Sequence, residues 1–213
     1  MSMLIDKAIS IINGATFPES FQEESKLGGW CDPNLMSILN DLATNCLEKN
    51  EKYLEIGTFV GRSLTASLKN NNAEAIVIDP FIDGEHVYKE WERNIFNAGI
   101  SSRVTLYKQP CESVNFLDHQ IGLFLYDGCH DSGHTYEGLK HFSKYLSKPS
   151  IIVVDDVHIY GGYQQNVFPG HKLDVERPVM TDTVRWLSEV PNSQCLAITP
   201  YCHGQMFILY KGL

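Results

Sequence analysis

No apolar run in this chain approaches the roughly 18 residues that a membrane-spanning helix needs, which argues against a membrane protein. The six cysteines, Cys31, Cys46, Cys111, Cys129, Cys195 and Cys202, form no C-x-x-C pair and no even framework. That pattern fits reduced thiols in a cytoplasmic protein better than a secreted disulfide scaffold. Residues 1–12 carry Asp6 and Lys7 inside their apolar pattern and lack both a basic leader and a small-residue cleavage site, so they do not read as a signal peptide. Basic charge is scarce, with 17 Lys and Arg against 26 Asp and Glu and a formal net charge of −9. No Lys/Arg cluster offsets this balance, so nucleic acid is not an expected partner. Repeats and low-complexity tracts are missing too, as is the paired-glycine G-x-G-x-x-G fingerprint of nicotinamide-binding folds.

What remains is ordinary globular composition, 43% hydrophobic over 213 residues, long enough to bury a core without staples. Seven short, nearly uninterrupted apolar runs stand out, at 53–56, 75–78, 104–107, 121–126, 151–154, 195–199 and 206–210. Runs without polar alternation fit strands covered on both faces, as in a parallel sheet. Between them lie helical spacings: Leu35, Ile38, Leu39, Leu42 and Cys46 behind an Asp32-Pro33 cap, then Leu64 with Leu68, and Leu139 with Phe142 and Leu146. Val184, Leu187 and Val190 repeat the pattern after Thr181-Asp182. Strands alternating with helices imply a doubly wound α/β sheet. The last two runs are separated only by residues 200–205, too few for a crossover helix, so they form an antiparallel hairpin.

Ligands of such sheets bind beyond the carboxyl ends of the strands, and the unusual residues sit there. Glu55-Ile56-Gly57-Thr58-Phe59-Val60-Gly61-Arg62-Ser63 follows the first strand, and Gly57 and Gly61 allow a sharp turn with close backbone approach to a ligand. Asp79 ends the second strand, about twenty residues after the glycine loop, where an acid can accept both hydroxyls of a ribose. A glycine-using turn and a turn-capping aspartate are the plainer readings of each feature alone; together they are far more specific.

Glu55-x-Gly57-x-x-x-Gly61 resembles motif I of class I S-adenosylmethionine-dependent methyltransferases, and Asp79 falls at that family's ribose-binding acid. Residues 54–63 are similar to the branch containing catechol and macrocin O-methyltransferases, and Gly28-Gly29-Trp30 suits the lead-in element of that branch. The resemblance covers roughly residues 28–213. It implies a Rossmann-like seven-stranded sheet, mostly parallel with an antiparallel last strand, over residues 31–213; residues 1–30 read as an N-terminal helical extension ahead of it. It also implies S-adenosyl-L-methionine as methyl donor, a small-molecule acceptor, and a fold that is often dimeric. The expected donor contacts are Glu55, Gly57, Thr58, Gly61, Ser63, Asp79 and Asp127, with Cys111 and Glu112 near the adenine or its ribose.

Tyr126-Asp127-Gly128-Cys129-His130-Asp131 resembles the Asp-Gly-x-His signature of the branch. In its metal-dependent members an aspartate after strand four joins an acidic pair after strand five, positions that Asp127, Asp155 and Asp156 occupy here. Three converging carboxylates repel one another unless a cation or protons intervene, and oxygen ligands suit Mg2+, or Ca2+ or Mn2+. Helix capping and loop solvation explain Asp155-Asp156 equally well. His130, His134 and His158 with Cys129 match no standard zinc spacing. His130 or His158 is the expected general base for a hydroxyl acceptor, or else a hydrogen-bond partner of the carboxylates. Tyr160, Tyr163, Phe168 and His171 mark an irregular stretch that suits a lid or simple loop packing. The competing functions are a hydroxylase-like relative and a non-catalytic cofactor-binding module.

Overall fold

In the computed structural model, residues 2–16, 19–116, 120–158, 177–201 and 203–212 are described. Among them, seven strands form one sheet: β1 Lys52–Ile56, β2 Ala75–Ile78, β3 Val104–Tyr107, β4 Ile121–Tyr126, β5 Leu146–Val154, β6 Gln194–Thr199 and β7 Gln205–Tyr210. Their order is β3-β2-β1-β4-β5-β7-β6. The five strands β1 to β5 pair in parallel, whereas β7 runs antiparallel to both neighbours, β5 and β6. The short 200–204 connection dictates this: it forces a hairpin, and the hairpin inserts β7 between β5 and β6.

Among the described residues the helices are α1 Ser2–Gly14, α2 Gln22–Ser25, α3 Pro33–Asn45, α4 Arg62–Ser67, α5 Glu85–Asn97, α6 His134–Phe142 and α7 Pro178–Glu189. Alternate strand residues feed two apolar layers. Tyr53, Val77, Leu125, Val153 and Phe207 pack with α1, α3, α4 and α5, while Leu54, Ile78, Phe124, Val154 and Ile208 pack with α6 and α7. Because both faces are covered, the central strands read as continuous apolar runs. The edge strands β3 and β6 are only partly buried, so there the same signal reflects one covered face. Ala8 and Ile12 of α1 belong to the same apolar layer as α3, so α1 packs on the sheet domain.

The Asp32 side chain accepts the Asn34 N–H at 2.7 Å ahead of Pro33, and α3 buries Leu35, Ile38, Leu39 and Leu42. Two helical expectations shift. Leu146 opens β5 rather than closing α6, after a short 3-10 turn at Ser143–Tyr145. The last helix starts at Pro178, not after Thr181-Asp182, and buries Val179, Asp182, Thr183 and Trp186 while Val184 is exposed. The reason is polar: the Asp182 carboxylate accepts the Gly133 N–H at 2.7 Å, satisfying the start of α6, and the Thr183 hydroxyl bonds the Val179 carbonyl. Two polar side chains therefore occupy a buried face.

Chain order reverses between β1 and β4, where connections leave in opposite directions along the sheet. This switch point opens a cleft at the carboxyl ends of the strands.

Candidate active site

The cleft has a volume of about 640 Å³ and is lined by Gly57, Thr58, Ser63, Asp79, Cys111, Glu112, Asp127, His130 and Asp156 among others. Its floor is the turn after β1. Gly57, at φ +82, passes so close to β4 that a Cβ there would lie 1.8 Å from the Asp127 carbonyl oxygen. Gly61, also left-handed, starts α4 against the Trp91 ring. Glu55 does not line the cleft; it lies fully buried beneath it, accepting hydrogen bonds from the Tyr53 hydroxyl and from Ser63 Oγ at 2.9 Å. Burial drives its pKa up to about 7, against the pull of those bonds. Its place in the motif is thus to tie β1 to α4 and to fix Ser63.

Asp79 stands at the end of β2, half-buried. Its Oδ2 accepts the Phe59 N–H at 2.9 Å and its Oδ1 accepts the Phe81 N–H at 2.6 Å. Each oxygen keeps a lone pair for a further donor, which is what two ribose hydroxyls require. Burial raises its pKa, opposed by the two amide bonds. Beside β3, Cys111 and Glu112 line the wall, and burial pushes the Cys111 thiol up to about 11. Cys111 is therefore a packing thiol and not a thiolate nucleophile.

At the far end, His130 Nε2 lies 3.1 Å from Asp156 Oδ2 and 3.7 Å from Asp127 Oδ1. The ligating atoms of Asp127, His130 and Asp156 all fall within 4.8 Å of one another. Asp155 is not in this set. It is 5% exposed and turned inward, its Oδ1 accepting Gln205 Nε2 at 2.7 Å and the Asp156 N–H at 2.8 Å. The expected three carboxylates thus converge as two carboxylates and an imidazole, because Gln205 holds the third. Burial first, then the neighbouring acids, raises the pKa of Asp127, and the same causes carry Asp156 to about 8. Crowded acids of this kind, with an imidazole beside them, are chemically suited to hold a divalent cation.

His158 is not brought to the cleft. Asp156 sits in the left-handed region at φ 59 and turns the chain aside, so that the Val157 and His158 amides donate to the carbonyls of Gly204 and His203. His203 lines the cleft instead, with Trp30, Ile82 and His86. Trp30 stacks on Phe59 with centroids 6.2 Å apart, and Arg62 holds the segment before it by donating to the Gly29 carbonyl at 2.9 Å. The aromatic stretch from Tyr160 to His171, and Cys202, lie outside the described residues.

Residues 54–157 match a methyltransferase domain family, a span that contains the glycine loop, Asp79 and the Asp127–His130–Asp156 group. No curated protein matches the chain in sequence. Among solved structures, the fold is similar to the SAH-bound Podospora anserina methyltransferase PaMTH1, at TM-score 0.66 and 18% identity over 94% of this chain and 92% of that one. It is also similar to the Streptomyces achromogenes O-methyltransferase TomG in complex with SAM, at TM-score 0.61 and 16% identity over 98% and 90%. A Bacillus cereus O-methyltransferase in complex with SAH superposes at TM-score 0.58 and 13% identity over 98% and 91%. Residues 54–157 thus match a methyltransferase domain, and the seven-stranded sheet with its acid-tipped glycine cleft has the fold of the S-adenosylmethionine-dependent methyltransferases.

Proposed function

We propose that the chain transfers the methyl group of S-adenosylmethionine to an oxygen of a small, partly apolar acceptor, assisted by a divalent cation held by the Asp127 and Asp156 carboxylates beside His130. The observation that carries this reading is the continuity of one cleft from the ribose acid Asp79 to the Asp127–His130–Asp156 group. Two of the similar structures are O-methyltransferases by description, which supports oxygen as the acceptor atom.

Transfer from a sulfonium is a single displacement, so the chain's task is alignment and charge. The cleft is rich in carboxylates: Asp79, Asp83, Glu112, Asp127 and Asp156 line it. That field favours a cationic sulfonium over its neutral product. Asp79 accepts the ribose hydroxyls, and the Gly57 turn lets the ligand approach the strand ends. Asp127 and Asp156 would hold such a cation, which would supply Lewis acidity to lower the pKa of an acceptor hydroxyl. His130 faces the same space and takes the proton. Trp30, 74% exposed and stacked on Phe59, with Ile82, 84% exposed, gives the mouth an apolar rim suited to a flat acceptor.

The test is formation of S-adenosylhomocysteine from a panel of phenols, catechols and aliphatic alcohols, with and without Mg2+ or Mn2+. Turnover that needs both a hydroxyl acceptor and the cation supports the reading. Turnover unchanged by chelation removes the cation from it, and methylation confined to nitrogen acceptors removes the oxygen.

A further inference from the structure

A second set of metal-type donors converges outside the inner group. The loop that carries His130 runs on through Asp131, Ser132 and Gly133 and enters α6 at His134. There the His134 N–H donates to the Asp131 carbonyl at 3.2 Å, closing a tight turn. Gly133, at φ +91, takes the left-handed conformation which that turn requires. As a result Cys129 Sγ, an Asp131 carboxylate oxygen and a His134 ring nitrogen lie within 4.8 Å of one another. Linear spacing hides the set, since C-x-D-x-x-H matches no standard zinc pattern; the turn gathers it.

We infer that Cys129, Asp131 and His134 form a cation site, separate from Asp127, His130 and Asp156, that selects zinc or a similarly soft divalent ion. The donors decide the selection. Sulfur and imidazole nitrogen suit zinc and cobalt, whereas Mg2+ and Ca2+ take oxygen ligands. Cys129 and His134 are exposed and Asp131 is half-buried, so an ion enters directly from solvent. On binding, a metal–sulfur bond forms at Sγ as the thiol proton leaves to solvent, with no change of oxidation state. Three protein ligands leave the fourth tetrahedral position to water. Because the ligands bracket His130 in the chain, occupancy braces the loop that carries it.

The test is a Co2+ titration of the full chain followed by absorption, since cobalt bound to thiolate gives a sulfur-to-metal charge-transfer band that oxygen and nitrogen ligands do not. The expected result is such a band at one equivalent, displaced by Zn2+, lost in Cys129→Ser and kept in Asp156→Asn. Zinc affinity in His134→Ala falls by more than about tenfold, the least loss produced even by removing a partner of a ligand. Far-ultraviolet circular dichroism of each variant confirms the fold. A wild-type chain with no charge-transfer band overturns the site, as does a band that survives Cys129→Ser in folded protein.

Discussion

The Asp79 carboxylate holds the Phe59 backbone: its Oδ2 accepts the Phe59 N–H at 2.9 Å across the mouth of the glycine loop. Phe59 is left-handed at φ 49, and Phe81, bonded to the other Asp79 oxygen, is left-handed at φ 51. For bulky side chains that conformation costs about 1–3 kcal/mol each and persists only where the surroundings impose it. One acid therefore fixes two strained turns and keeps lone pairs free for further donors.

Replacing Asp79 by Ala removes the ribose acceptor and frees both turns. The dissociation constant for S-adenosylmethionine should rise about ten- to hundredfold, the range for losing hydrogen bonds to a charged group. Isothermal titration calorimetry reads it directly.

Gly57→Ala should be far more damaging to folding than to chemistry. Its Cβ would meet the Asp127 carbonyl at 1.8 Å, from a residue already at positive φ. A loss of about 3–5 kcal/mol places it among the severe substitutions, read by urea denaturation.

Much of this architecture is legible in the sequence because it is local. The seven apolar runs, the Asp32-Pro33 cap and the glycine loop each depend on neighbours within a few residues. Gln205 and His203 were not legible, because their positions depend on β7 entering the sheet beside β5. A polar Gln opening an otherwise apolar strand was the available signal. It is fully buried, donating to Asp155 and accepting from the Thr199 hydroxyl at 2.6 Å. His158 looked catalytic by adjacency to the β5 end, but a single left-handed residue, Asp156, redirects it. Thr181-Asp182 resembles a helix start in sequence, but Asp182 caps α6 rather than its own helix, which begins at Pro178.

Glu55 gives the fold a pH dependence. Its folded pKa of about 7 exceeds the ordinary carboxylate value of 4.5, so the unfolded chain releases its proton first as pH rises. Stability therefore falls as pH climbs from 4.5 to about 7 and levels off above that. The span corresponds to on the order of 3 kcal/mol at most. Thermal melts across this window should show Glu55→Gln declining less than the wild type.

Asp182→Ala should destabilise the chain by about 1–2 kcal/mol, as for loss of a helix cap. The Gly133 and Tyr136 amides both lose an acceptor in that variant. Asp182→Asn, which keeps an acceptor oxygen, should recover most of the melting temperature.

His130→Ala should lower kcat by about 10²–10⁴-fold while leaving S-adenosylmethionine affinity nearly unchanged, because on the proposed reading His130 takes the acceptor's proton whereas Asp79 holds the donor. Steady-state kinetics alongside calorimetry separate the two effects.

The most direct test of the account is calorimetric titration of the wild-type chain with S-adenosylmethionine, with and without Mg2+ or Mn2+. The account predicts saturable binding with a dissociation constant on the order of micromolar, near −8 kcal/mol. The signal should be lost or strongly weakened in Asp79→Ala. Saturable binding that is unaffected in Asp79→Ala, or no binding by the folded wild type with or without cation, would contradict it.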